Sequence, residues 1–144
     1  MSTVRYTFFL LSLVLFAVMP AAAQTDSSKR PAKVYLIRAT GHSGSLTNMR
    51  AVVDDATNCR LKNNRYSIIY LQPGTHRFYA TTFIAPRAKE ALNVEVPMEA
   101  GKTYYLRMVR KLRTFKEELF FEEITANSAA LYLEKLKEDT DCDH

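Results

Sequence analysis

The chain has 144 residues, with 20 Lys and Arg against 15 Asp and Glu and a formal net charge of +5. That length supports one domain around a single core, large enough not to depend on disulfides. The basic residues are scattered rather than massed, which is the pattern of a solvated surface and argues against a nucleic-acid binder.

The first residues, MSTVRYTFFLLSLVLFAVMPAAAQ, place one basic group, Arg5, before the apolar run Tyr6–Met19, followed by Pro20 and three alanines. This is the pattern of a secretory signal peptide over residues 1–23, with cleavage expected after Ala23. The run is shorter than the roughly 20 residues a membrane span needs, so no stable membrane anchor is expected after cleavage. No cysteine stands at the cleavage point to accept a lipid. The expected location is therefore periplasmic or secreted. Removing the leader takes away Arg5 and no acid, which leaves a mildly basic chain.

Residues 24–31 (QTDSSKRP) are polar and read as a flexible lead-in. From Ala32 onward, short β-prone runs alternate with turn signals. The runs are AKVYLIRA, NMRAVVDD, a short NCRL, RYSIIYL, THRFYATT, ALNVEVPM and KTYYLRMVRK. The turns are GHSGS, KNN, QPG and EAG, with a longer connection FIAPRAKE. Apolar and polar residues alternate in NVEVP and YYLRMV, as they do in a sheet with one dry and one wet face. FKEELFFEEI (Phe115–Ile124) reads as a further strand, although Phe120 and Ile124 also fit helical spacing. Asn127 or Ser128 then caps a helix carrying Leu131, Leu133 and Leu136 on its apolar side. The expected fold is mainly β: a small antiparallel β-sandwich of about 7–8 strands with a C-terminal helix, over residues 32–138, followed by the polar tail 139–144.

Pro73-Gly74 has the residue chemistry of a β-turn and is expected to close a hairpin. His76 then lies in the outgoing strand, in phase with Phe78 and Ala80, as a packed or half-exposed strand residue. The segments YSIIYLQPGTHRFYA and MEAGKTYYLRM resemble the two most recognisable blocks of a bacterial family, the domain of unknown function 2846. AKVYLIRA resembles its opening strand, and VVDD with CRLKNNRY its second hairpin, so the likeness runs from about Ala32 to Ile124. The resemblance implies a small β-sandwich, members that are secreted or lipoproteins, and no catalytic residues. Asn63-Asn64 stands where that family commonly has a glycine, a change that fits because Asn accepts left-handed φ.

Cys59 and Cys142 lie in a chain expected to reach an oxidising compartment. A bridge between them would stabilise by about 4 kcal/mol through the long loop it closes; two free thiols, or an intermolecular bond through Cys142, are the alternatives. Asp141, Cys142, Asp143 and His144 offer metal-ligand types, but adjacent residues rarely close a tetrahedron and no second cluster has ligand spacing. No metal and no cofactor is expected. His42 reads as a loop residue. Ser43 and Ser45 beside it lack a nucleophile elbow. The pairs Asp54-Asp55, Glu117-Glu118 and Glu122-Glu123 point to opposite strand faces and cannot act together as acid and base. No catalytic residue is assigned, and the chain is not expected to be an enzyme; a hydrolase or metal-dependent enzyme is the alternative.

Tyrosines and arginines are the remaining signal. Tyr66, Tyr70, Tyr79, Tyr104 and Tyr105 fall in expected strands, close in sequence to Arg65, Arg77 and Arg107. Tyr79, Tyr104, Tyr105, Arg77 and Arg107 form the candidate ligand-binding set, for a glycan or a peptide strand; core packing with hydroxyls at the rim is the alternative. The expected function is an exported, non-catalytic interaction or structural module of the cell envelope, with an envelope or extracellular protein or a glycan as partner. The alternative is a small-ligand or glycan binder that uses the tyrosine and arginine face.

Overall fold

A computed structural model describes residues 27–42, 44–82, 92–113 and 116–142. The expected signal peptide, residues 24–26, the whole FIAPRAKE connection with Ala91, Ser43, Thr114, Phe115, Asp143 and His144 lie outside the described residues. Nine strands stand among the described residues: β1 (Ala32–Arg38), β2 (Met49–Val53), β3 (Thr57–Leu61), β4 (Arg65–Leu71), β5 (Gly74–Thr82), β6 (Val94–Met98), β7 (Thr103–Arg113), β8 (Lys116–Glu123) and β9 (Lys137–Glu138). One helix, α1 (Ala126–Leu133), follows β8.

The strands form two sheets, one ordered β8-β7-β1-β4-β9 and the other β3-β2-β5-β6. Alternation along each strand sends one set of side chains between the sheets. Val34 and Leu36 of β1, Leu61 of β3, Phe78 of β5, Val96 of β6, Leu106 of β7 and Phe121 of β8 meet there in one buried cluster. Burying side chains of this size stabilises by about 1.5–3 kcal/mol each. The two-layer β architecture is as expected, and the segment from Lys116 to Glu123 is a strand.

Three features differ from the sequence expectation. The five-stranded sheet is mixed rather than antiparallel, because β1 runs parallel to β7 and β4 parallel to β9. Pro73-Gly74 does not close a hairpin: β4 belongs to one sheet and β5 to the other, so the turn carries the chain across the core. Gly74 has φ 147°, not the roughly +80° of a type II turn, and its Cα is already paired with Met98 of β6. The KNN turn likewise passes from β3 in one sheet to β4 in the other, with Asn64 at φ 52° in the left-handed region that asparagine accepts. Local hairpins do join β7 to β8, and β2 to β3 through Asp54, Asp55 and Ala56, with both aspartates at positive φ.

The helix is shifted and shortened. Its N-cap is Thr125, not Asn127 or Ser128: the Thr125 hydroxyl accepts from the Ser128 amide at 3.2 Å. The helix ends at Leu133, so Leu136 lies beyond it and Lys137-Glu138 forms β9. Ala129 is its buried residue, while Leu131, expected on the apolar side, is exposed.

Candidate functional site

Strand alternation and register together build a tyrosine surface on the outer face of the five-stranded sheet. Paired residues of neighbouring strands point to the same side, so Tyr70, Lys33 and Thr103 form one outward row and Ile68, Tyr35 and Tyr105 the next. A third row holds Tyr66, Ile37, Arg107 and Glu122. The Tyr35 and Tyr105 rings stack with centroids 5.0 Å apart, and Tyr66 meets Tyr35 at 5.8 Å in a tilted arrangement. The Lys33 ammonium lies 4.8 Å from the centre of the Tyr35 ring. Hydrogen bonding to Tyr35 raises the Lys33 pKa against the opposing effect of burial, so the cation is retained. Tyr35, Tyr66 and Tyr105 are half-buried and Tyr70 is exposed.

Arg107 closes one side of this surface. Its guanidinium bonds the Glu122 carboxylate, donates to the Tyr132 hydroxyl at 2.7 Å and lies 5.2 Å from the centre of the Tyr132 ring. Beyond it, an open cleft of about 620 Å³ runs between α1 and the sheet, lined in part by Ala39, Asn64, Leu131, Tyr132 and Leu136.

The five residues of the candidate ligand set do not come together. Tyr105 and Arg107 share the outer face just described, but Tyr104, one residue before Tyr105, points between the sheets, where its hydroxyl accepts from the Glu99 amide at 2.8 Å. Arg77 and Tyr79 lie on the other sheet, in a separate polar cluster at the β2–β3 hairpin. There the Asp55 carboxylate bonds the Arg77 guanidinium and accepts from the Tyr79 hydroxyl at 2.8 Å. The Asp54 carboxylate accepts from the Arg77 amide at 2.8 Å and meets His76 Nδ1 at 2.6 Å. His76 Nε2 lies 2.7 Å from the Gln72 carbonyl. Carbonyl and carboxylate oxygens only accept, so this geometry favours the imidazolium, the form in which both ring nitrogens donate. Burial opposes that charge, but the bonds to Asp54 and Gln72 outweigh it and raise the His76 pKa. In the imidazolium form the ring has no free lone pair to offer a substrate. A small cleft of about 290 Å³ beside it is lined by Asp54, Thr75, Arg77 and Glu95.

Cys59 and Cys142 form a disulfide, with Cα atoms 4.9 Å apart and both residues buried. The segment expected as a polar tail is therefore held down. Lys62 bonds the carboxylates of Asp139 at 3.1 Å and Asp141 at 2.8 Å, the Ser67 hydroxyl donates to the Asp139 carbonyl at 2.6 Å, and Asp139 itself is buried.

Arg38, Tyr35 and Tyr132 were not singled out from sequence. Arg38 is 2% exposed at the end of β1. Its guanidinium donates to the carbonyls of Leu61 at 2.5 Å, Gly44 at 2.8 Å and Thr47 at 3.0 Å. The signal was present in the period: Arg38 is in phase with Val34 and Leu36, the inward positions of AKVYLIR. Tyr35 is in the opposite phase of that same strand.

A search of curated proteins finds no match to the chain. The profile described as "Protein of unknown function (DUF2846)" matches residues 28–119, from the lead-in through the middle of β8, and the chain belongs to that family.

Proposed function

We infer that this protein is an exported, non-catalytic interaction module that acts in the periplasm or outside the cell and binds through the outer face of its five-stranded sheet. The observation that carries the reading is the cluster of tyrosines on that face, Tyr35, Tyr66 and Tyr105, with Tyr70 exposed beside them. Aromatic rings with polar tips give large contact area at low entropic cost, which is why tyrosine is enriched at binding surfaces. The leader pattern and a buried disulfide support export, since such bonds persist in oxidising compartments. Residues 24–144, oxidised, would be used to capture partners from envelope extract, beside a Tyr105→Ala variant. A stoichiometric partner lost in the variant supports the reading. A partner held equally by both proteins places the contact elsewhere, and a turnover activity abolished by one substitution overturns it.

Glycan binding is the second reading, because stacked tyrosines flanked by Lys33 and Arg107 combine ring faces with cationic hydrogen-bond donors. Calorimetry with envelope glycans separates the two: heat of binding that disappears in Tyr105→Ala favours the glycan.

A further inference from the structure

The four outer strands of the two sheets are protected unequally. An open strand edge presents unpaired N–H and C=O groups, and proteins blunt such edges with charge, proline or short length. Strand β8 carries Lys116, Glu117, Glu118, Glu122 and Glu123; β6 carries Glu95 and Pro97; and β3 is short and carries Arg60. The fourth edge is different. Strand β9 has two residues and covers only Arg65 and Tyr66 of β4. Asp139, just after β9, lies against Tyr66 and Ser67, and the rest of β4, from Ile68 to Leu71, reads IIYL without charge, proline or glycine, the composition most prone to further pairing.

Backbone alternation identifies the open groups. The Asp139 amide donates to the Tyr66 carbonyl at 2.8 Å, so Tyr66 faces away from β1. With a period of two, Ile68 and Tyr70 also turn their N–H and C=O groups to that side. Among the described residues no strand pairs with them there. Their side chains lie on the outer sheet face, Ile68 half-buried and Tyr70 63% exposed.

We propose that this edge pairs with the same edge of a second copy, β4 against β4 in antiparallel register, joining two five-stranded sheets into one. The alternation sets the register. Ile68 stands opposite Tyr70 of the second copy and Tyr70 opposite its Ile68, a two-fold arrangement with four backbone hydrogen bonds and two aromatic-to-aliphatic contacts. Three observations favour a second copy over a foreign strand. The edge is self-complementary, since no like charges face each other across the two-fold. Its length is matched, because each copy offers the same few residues between its own β9 and Pro73. A longer strand laid along β4 would run into β9 at Tyr66. The pairing does not depend on what the tyrosine face binds. Because the paired edge is short, the dimer is weak and is read at high protein concentration.

The test uses the oxidised chain in two ways. Sedimentation of the wild type across a wide concentration range should show a monomer passing to a dimer, and Tyr70→Lys should remove the shift while keeping the near-ultraviolet tyrosine signal of the folded domain. Register is read by mixing Ile68→Cys with Tyr70→Cys. The mixture should cross-link strongly while neither variant does so alone, because identical positions sit diagonally, about 7–8 Å apart and beyond disulfide reach. A wild type that stays monomeric throughout, a dimer that survives Tyr70→Lys, or equal cross-linking in all three samples overturns the proposal. So does capture of the edge by an extended peptide while the protein remains monomeric.

Discussion

Replacing Arg38 with methionine keeps most of the side-chain volume and removes the guanidinium, so it isolates what the buried charge does. The guanidinium serves the carbonyls of Leu61, Gly44 and Thr47 and the Thr40 hydroxyl, and none of these partners is a carboxylate. Gly44 and Thr47 belong to the β1–β2 connection, where Leu46 is fully exposed, so their carbonyls regain water once the arginine is gone. The Leu61 carbonyl ends a strand in the core and does not. A stranded buried acceptor costs about 1–3 kcal/mol. Against that, the variant removes an un-neutralised cation, whose pKa is depressed by burial and by the neighbouring Arg60 and Arg110. Urea unfolding of Arg38→Met should therefore show a net loss at or below the low end of that range, about 1 kcal/mol, with faster amide exchange concentrated in residues 40–48. Arg38→Lys should be no better than methionine, because one ammonium keeps the desolvation cost but cannot reach acceptors spread around a planar fork. If methionine matches the wild type in both stability and loop exchange, the carbonyl-bridging account is wrong. If lysine matches the wild type, the planar fork does not matter.

Replacing Cys59 and Cys142 together by serine opens a loop with a sequence separation of 83. The chain-entropy relation puts the loss at about 4.5 kcal/mol, measured as the drop in unfolding free energy under oxidising conditions; a loss below about 1 kcal/mol would show that the tail is held by Lys62, Ser67 and β9 instead. The His76–Asp54 pair sets a pH window. His76 has a raised pKa, so its contribution is complete below the ordinary 6.5 and disappears as pH rises through the raised value. For Asp54, burial raises the pKa, but the Arg77 amide and His76 outweigh it; the lowered result contributes above 3.8 and is lost as pH falls through it. Proton NMR titration should find His76 above 6.5 in the wild type and lower in Asp54→Asn; an unchanged midpoint in the variant would remove the pairing argument.

Strand phase was legible because it depends on nearest neighbours. VEVPM and TYYLRM alternate in sequence, and Val96, Met98, Leu106 and Met108 are inward in the fold. The same reasoning, applied to Tyr104-Tyr105, separates the two rings onto opposite faces, so a ligand set containing both asked neighbouring residues to do what a strand forbids. What sequence could not convey is which strand receives the chain after a turn. Pro73-Gly74 and Asn63-Asn64 specify a reversal, and a reversal within one sheet uses much the same residues as one that crosses to the other. That choice is made by the core, to which Ile69 and Phe78 contribute from different sheets. The helix start was misplaced for a similar reason. Threonine, asparagine and serine at 125, 127 and 128 are all competent caps, and the end of β8 at Glu123 decides among them.

The position of β1 has a consequence for how quickly the molecule assembles. This first strand is the middle of its sheet, and its two neighbours are β4 and, in parallel, β7, with Lys33 aligned on Thr103 far along the chain. Parallel pairing at such separation forms late, because the intervening loop must be closed before any contact rewards it. A chain emerging from its N-terminal end, from a ribosome or across a membrane, can therefore pair β1 with β4 but leaves the other edge of this apolar strand open until β7 arrives. Folding in the millisecond-to-second range is the expectation for such a topology. Over that interval, the open edge of the VYLI segment is what a holding chaperone would recognise.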